Sequence, residues 1–157
     1  MTSDNRAAYL DAVRMLARRE LSEAQVRQRL ARRRHPEDAI DEAIDRLRQE
    51  RAIDDVRTAE AIARTETSVK GRGELRVRQQ IERAGISPAT ARRVARDMFA
   101  GIDADELLEA ALRRRLRGRA QIGDEAESRR LYRYLIGQGF ESDRVISALN
   151  RLKRRRS

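Results

Sequence analysis

Apolar residues recur three or four positions apart from one end of this chain to the other, and no segment alternates with the period of a strand. Such spacing puts them on one stripe of a helix, which packs against neighbours while its other faces meet water. Setting the chain against itself with anchors at Leu30, Ile81 and Leu135 brings the stripes into ungapped register over about two helices, at offsets of 51 and 54 residues. Four residues before the anchors lie Val26, Val77 and Leu131; fourteen after them lie Ile44, Ala95 and Leu149; seventeen after come Leu47, Met98 and Leu152. The chain therefore reads as all-α: three tandem three-helix repeats at residues 6–50, 54–100 and 103–152, forming an elongated, curved array, with a basic tail at 153–157.

Helix-end signals agree with that division. In the first repeat the helices are expected roughly from Arg6 to Arg18, Glu23 to Arg33 and Glu37 to Glu50. Ser22 with Gln25 fits a capping box, and Leu21 with Val26 a hydrophobic staple over the same helix start. Ser87 precedes Pro88, a residue that gives up only an amide left unbonded at a helix start; Ile86 with Ala91 and Phe140 with Val145 form the corresponding staples. Gly85 and Gly139 fall where a left-handed cap is needed, and Arg34, which takes that place in the first repeat, is expected to be strained. Asp54 and Asp103 should open the second and third repeats. Gly71 to Gly73 and Gly118 to Gly123 read as flexible joints, and Lys153 to Ser157 as a frayed tail. A repeat of about fifty residues with so few large apolar side chains is marginal alone, so neighbours should stack and share surface.

Composition changes this picture by naming a class of partner. The formal charge of +10 over 157 residues is carried almost wholly by arginine, since Lys70 and Lys153 are the only lysines. Guanidinium groups bind phosphate or carboxylate bidentately, which points to a polyanionic or strongly acidic partner; genomic bias toward arginine is the plainer alternative. With no cysteine, disulfides and thiolate metal sites are excluded. No apolar run is long enough to span a bilayer and no signal core follows Met1, so a cytoplasmic protein is expected.

Candidate chemistry is sparse. Lys70-Gly71-Arg72-Gly73 offers glycines through which amides could approach phosphate, but no Ser or Thr follows the lysine as a Walker loop requires, and a basic helix connection is the simpler reading. Asp54-Asp55 has no nearby histidine to complete a metal or acid-base site, which leaves helix capping. His35, the only histidine, sits where the other repeats have Ile86 and Phe140 and reads as a half-buried staple residue. Basic residues gather at Arg32 to Arg34, at Arg113, Arg114, Arg115, Arg117 and Arg119, and at Arg151 with Lys153, Arg154, Arg155 and Arg156. Cations near helix C-termini offset the dipole, yet so many like charges kept together repel one another and call for nucleic acid or an acidic protein. With Tyr9, Phe99, Tyr132, Tyr134 and Phe140 as the only aromatics, any DNA contact should be to the backbone rather than by base stacking. No constellation of nucleophile, base and orienting group is present, so neither enzyme nor cofactor is expected.

Leu16-Ala17-Arg18-Arg19-Glu20-Leu21-Ser22, with Val26 and Leu30, resembles the first repeat of the RecX family of recombination regulators. Ile44, Leu47, Ile53-Asp54-Asp55, Arg57, Ala59, Arg64, Lys70-Gly71, Arg76, Ile81 and Ala84-Gly85-Ile86 are similar to that family's second-repeat signature in the same order. Leu131, Tyr134, Leu135, Gly139-Phe140 and Leu149 extend the likeness through the third, so that it runs from about Ala7 to Leu152. The chain departs from the family at Arg34, where a glycine is expected, at Arg51 and Ala52 before the Asp pair, and at Thr58 in place of an aromatic; these should loosen packing around the second repeat's first helix. The resemblance implies a modulator that lies in the groove of the RecA recombinase filament on single-stranded DNA and inhibits it, and a monomer is expected because no helix shows a sustained heptad seam. The alternative is a nucleoid-type protein that binds single- or double-stranded DNA directly through phosphates. Candidate partner-facing cations are Arg64, Lys70, Arg72 and Arg76 in the second repeat and Arg113, Arg114 and Arg115 in the third.

Overall fold

A computed structural model of the chain describes residues 1–154, and among them every regular element is helical. The first unit comprises α1 (Ser3–Arg18), α2 (Glu23–Arg32) and α3 (Glu37–Gln49). In the second, α4 (Asp55–Arg64) runs on into a π-helical turn, Thr65–Val69, before α5 (Glu74–Arg83) and α6 (Pro88–Ala100). The third holds α7 (Ala104–Leu116), α8 (Glu125–Gly137) and α9 (Ser142–Arg154). Residues 155–157, which include Arg155 and Arg156 of the last basic cluster and most of the tail, lie outside the described residues.

The caps form as their residue types demand. Ser22 and Gln25 make both bonds of the capping box, Ser87 caps α6 with Pro88 in its first turn, and Asp103 caps α7. Gly85 and Gly139 take φ of 82° and 98°, and Arg34 takes 64° despite its side chain. Asp54 and Asp55 each cap a different helix: Asp54 accepts from the Arg57 amide at 3.1 Å, and Asp55 accepts from the Glu23 amide at 2.9 Å, across to the first unit. The staple residues Leu21, Val26, Ile86, Ala91, Phe140 and Val145 are all buried.

Each unit closes its own apolar core. Leu30, Ile44 and Leu47 belong to the first, Val77, Ile81 and Ala95 to the second, and Leu131, Leu135 and Leu149 to the third. Neighbours stack as expected, but no buried apolar cluster spans two units among the described residues: the shared surface is made of close backbone contacts and hydrogen bonds. At the first joint the Ser22 hydroxyl donates to the Ala84 carbonyl, and Thr58 donates to the Leu21 carbonyl at 3.3 Å. At the second, the Gly73 amide donates to the Gln138 carbonyl at 2.8 Å and the Leu75 amide to the Gly139 carbonyl at 3.2 Å. By the repeat offsets Ser22 corresponds to Gly73 and Ala84 to Gln138, so one joint is built twice: the start of a unit's second helix sits on the turn that ends the next unit's second helix.

That joint explains the glycines. A Cβ on Gly85 would stand 2.5 Å from the Ala24 Cβ, and one on Gly73 2.5 Å from the Gly139 carbonyl carbon. Gly71 and Gly73 are buried, and the Arg114 guanidinium lies against Gly71, so this stretch is a packed seat and not the flexible joint expected of it. In the connection 118–123, Ile122 is buried, Arg119 pairs with Glu127 and the Gly123 amide donates to the same carboxylate, while Gly118 stands in open space. Thr58, expected to leave loose packing, is 2% exposed and bonded across the first joint.

Candidate partner-binding surfaces

The seven cations picked from sequence are spread over the second unit, the second joint and the third unit. Lys70 and Arg72 both turn onto Glu66 of the π turn, Lys70 Nζ at 3.1 Å and Arg72 Nη1 at 3.5 Å. Glu66 is 5% exposed, so these two charges hold a buried carboxylate in the body of the protein and their capacity for an outside anion is reduced. Arg76 lies at the second joint, where its backbone amide and Cβ closely approach Gly139. Arg114 covers Gly71, and Arg115 stacks on the Tyr134 ring with its guanidinium carbon 4.4 Å from the centroid.

Arg64 and Arg113 are the two of the seven whose side chains face solvent and form no ion pair, hydrogen bond or ring contact among the described residues. Arg64 lines a groove between α4 and α6 with Glu60, Arg93 and Asp97. Arg113 lines a groove of about 350 Å³ between α7 and α9, over Leu116 and Leu152 and beside Arg119 and Arg151. Two of its neighbours are already engaged: Arg151 with Glu109 at 3.5 Å, and Arg119 with Glu127. The Glu127 carboxyl is held below the usual carboxylate range, first by Arg119 and then by the Gly123 amide that donates to it.

One group of cations escaped the reading of local clusters. Arg92, Arg93 and Arg96 lie on the exposed side of α6, and among the described residues none forms an ion pair or side-chain hydrogen bond. They are interrupted in sequence by Val94 and Ala95, both buried, so they look scattered along the chain yet share one helix face. The repeat register was the signal that could have found them. The positions equivalent to Arg92, Arg93 and Arg96 are Asp41, Glu42 and Asp45 in α3 and Ile146, Ser147 and Asn150 in α9.

Among the described residues there is no group of three or more His, Asp or Glu able to hold a metal ion, and no helix long and apolar enough to cross a membrane.

Residues 8–47 match a family profile described as the first three-helix domain of RecX. The regulatory protein RecX of Halorhodospira halophila is 31% identical over 138 residues, covering 87% of this chain and 83% of its own length. That of Chlorobium phaeobacteroides is 29% identical and covers 97% of each chain. The crystal structure of RecX from Lactobacillus salivarius superposes with a TM-score of 0.74 at 19% identity, over 98% of this chain and 99% of that one, a likeness of fold.

Proposed function

Since the chain belongs to the RecX family of regulatory proteins, we propose that it binds the RecA recombinase filament on single-stranded DNA and inhibits its ATP hydrolysis, extension and strand exchange. Family membership carries this reading, and the architecture suits it. Polar joints set three units in a row, and a row of modules can touch more than one protomer of a helical polymer where a single compact domain would touch one. The repeats 6–50, 54–100 and 103–152 are then the contact modules of a cytoplasmic monomer. Of the candidate cations, Arg64 and Arg113 are proposed to face the partner, while Lys70, Arg72, Arg76, Arg114 and Arg115 hold the second and third units in shape. A second reading, direct binding to the DNA backbone, is favoured by the uncompensated arginines of α6.

The test is ATP hydrolysis by the cognate recombinase on single-stranded DNA, with this protein titrated below one molecule per recombinase. Inhibition at such ratios, with too little protein present to sequester the DNA, is the expected result. Inhibition only at ratios that coat the DNA transfers the function to the second reading.

A further inference from the structure

We propose that the outward face of α6 binds the phosphate backbone of nucleic acid through Arg92, Arg93 and Arg96, without reading its sequence. The third helices of the three units correspond residue for residue, α3 at 37–49, α6 at 88–100 and α9 at 142–154. The three outward positions compared above are exposed in every unit, so packing does not choose their residues. Yet they are wholly acidic in the first unit, wholly basic in the second and uncharged in the third.

The acidic set is answered within its own unit. Asp41 pairs with Arg27 at 2.6 Å, Glu42 accepts from the Asn5 amide group, and Asp45 pairs with Arg48 at 3.1 Å. The basic set is not answered, although Glu60 and Asp97 border the groove that Arg93 lines with Arg64, which is itself unpaired. Arg92 and Arg96 are separated by about 6 Å along the helix axis, so three guanidinium groups share little more than one turn. Water, salt and the nearby Glu60 and Asp97 weaken their mutual repulsion without pairing them, so a polyanion from outside the chain still gains by binding there.

The surroundings select phosphate over an acidic protein. Protein interfaces centre on a large apolar or aromatic anchor, and no large apolar residue of α6 is among the exposed ones. Forked guanidinium groups match phosphate oxygens bidentately and need no such anchor. Phe99, the one aromatic of α6, is half-buried, so bases have no exposed ring on which to stack.

The experiment is fluorescence anisotropy with labelled single-stranded and duplex oligonucleotides of unrelated sequences, using the whole protein without recombinase, over a range of salt. The inference therefore stands or falls apart from the recombinase reading. The variant R92Q/R93Q/R96Q is compared with R6Q/R18Q/R19Q, which removes as much charge from exposed positions of the first unit; circular dichroism checks that both keep their helices. With one phosphate neutralised per arginine, the slope of log affinity against log salt should become shallower by about 2 for single strands and slightly more for duplex in the α6 variant. The control should move by less than half as much. Equal shifts in the two variants would mean that net charge alone drives binding, and the proposal fails. It fails too if wild type does not bind oligonucleotides at low salt, or if the α6 variant binds them normally but no longer associates with recombinase filaments; that last pattern makes the face a protein contact.

Discussion

Asp11 ties α1 to the turn between α2 and α3. His35 Nε2 lies 2.7 Å from one of its oxygens and Arg33 Nη1 2.9 Å from the other. The His35 hydrogen bond holds the Asp11 carboxyl below its ordinary range; burial pushes it back up by less, and the Arg33 charge adds to the lowering. A carboxyl depressed in the folded state contributes stability that is complete above its unfolded value, about 3.9, and is lost as pH falls through the lower folded one. The urea midpoint of the wild type should therefore drop from about pH 4 downward more steeply than that of Asp11→Asn. Other depressed carboxyls, Glu50 and Glu127, act alike in both proteins and cancel in the comparison. Parallel curves would remove Asp11 from the acid response.

At the scale of the element, the π turn is the feature that periodicity does not reveal. α4 widens at Thr65–Val69, Thr67 bonds back to the Ala63 carbonyl at 2.8 Å, and Glu66 is carried inward to meet Lys70 and Arg72. Glu66 Oε2 and Arg72 Nε are buried without hydrogen-bond partners, so the charge of Glu66 is what compensates the inward guanidinium. Glu66→Gln keeps the shape and removes that charge. We expect it to cost about 1–3 kcal/mol in urea unfolding, below the full value of a buried pair because Lys70 is half exposed. Lys70→Gln should cost less than half of that, and similar losses from the two would contradict the ordering.

For the whole molecule, the repeated joint is what sets one unit on the next. Gly85 and Gly139 each lie under a neighbour, whereas Arg34, at the same place in the first unit, is exposed. A side chain there costs only its left-handed backbone and blocks nothing. At the far end α8 begins at Glu125, three residues earlier than the register of α5 would place it, so the third unit does not present the start that Ser22 and Gly73 present. Gly139→Ala would drive a Cβ into the Arg76 backbone at φ of 98° and should cost more than about 2 kcal/mol in urea unfolding. Arg34→Gly relieves a left-handed arginine, offset by the freedom glycine has when unfolded, and should change stability by at most about 1 kcal/mol. Equal losses at the two equivalent positions would refute the joint.

Much of this was legible along the chain because it depends on neighbours in sequence. Helix stripes, the Ser22–Gln25 box, the Ser87–Pro88 start and the left-handed turns at Gly85 and Gly139 are set by residues within four or five positions of one another, and local sterics and hydrogen bonding decide them. The self-alignment carried that reading to all three units. What lay beyond it depends on groups brought together from distant positions. Glycines at 71 and 73 looked like slack until the third unit's backbone was seen to rest on Gly73. Lys70 and Arg72 looked free until a π turn placed Glu66 between them. Arg92, Arg93 and Arg96 gained meaning when the fold showed their equivalents in α3 paired and themselves unpaired. Charge compensation is a property of distances in space, and only the packing of one unit against the next supplies those distances.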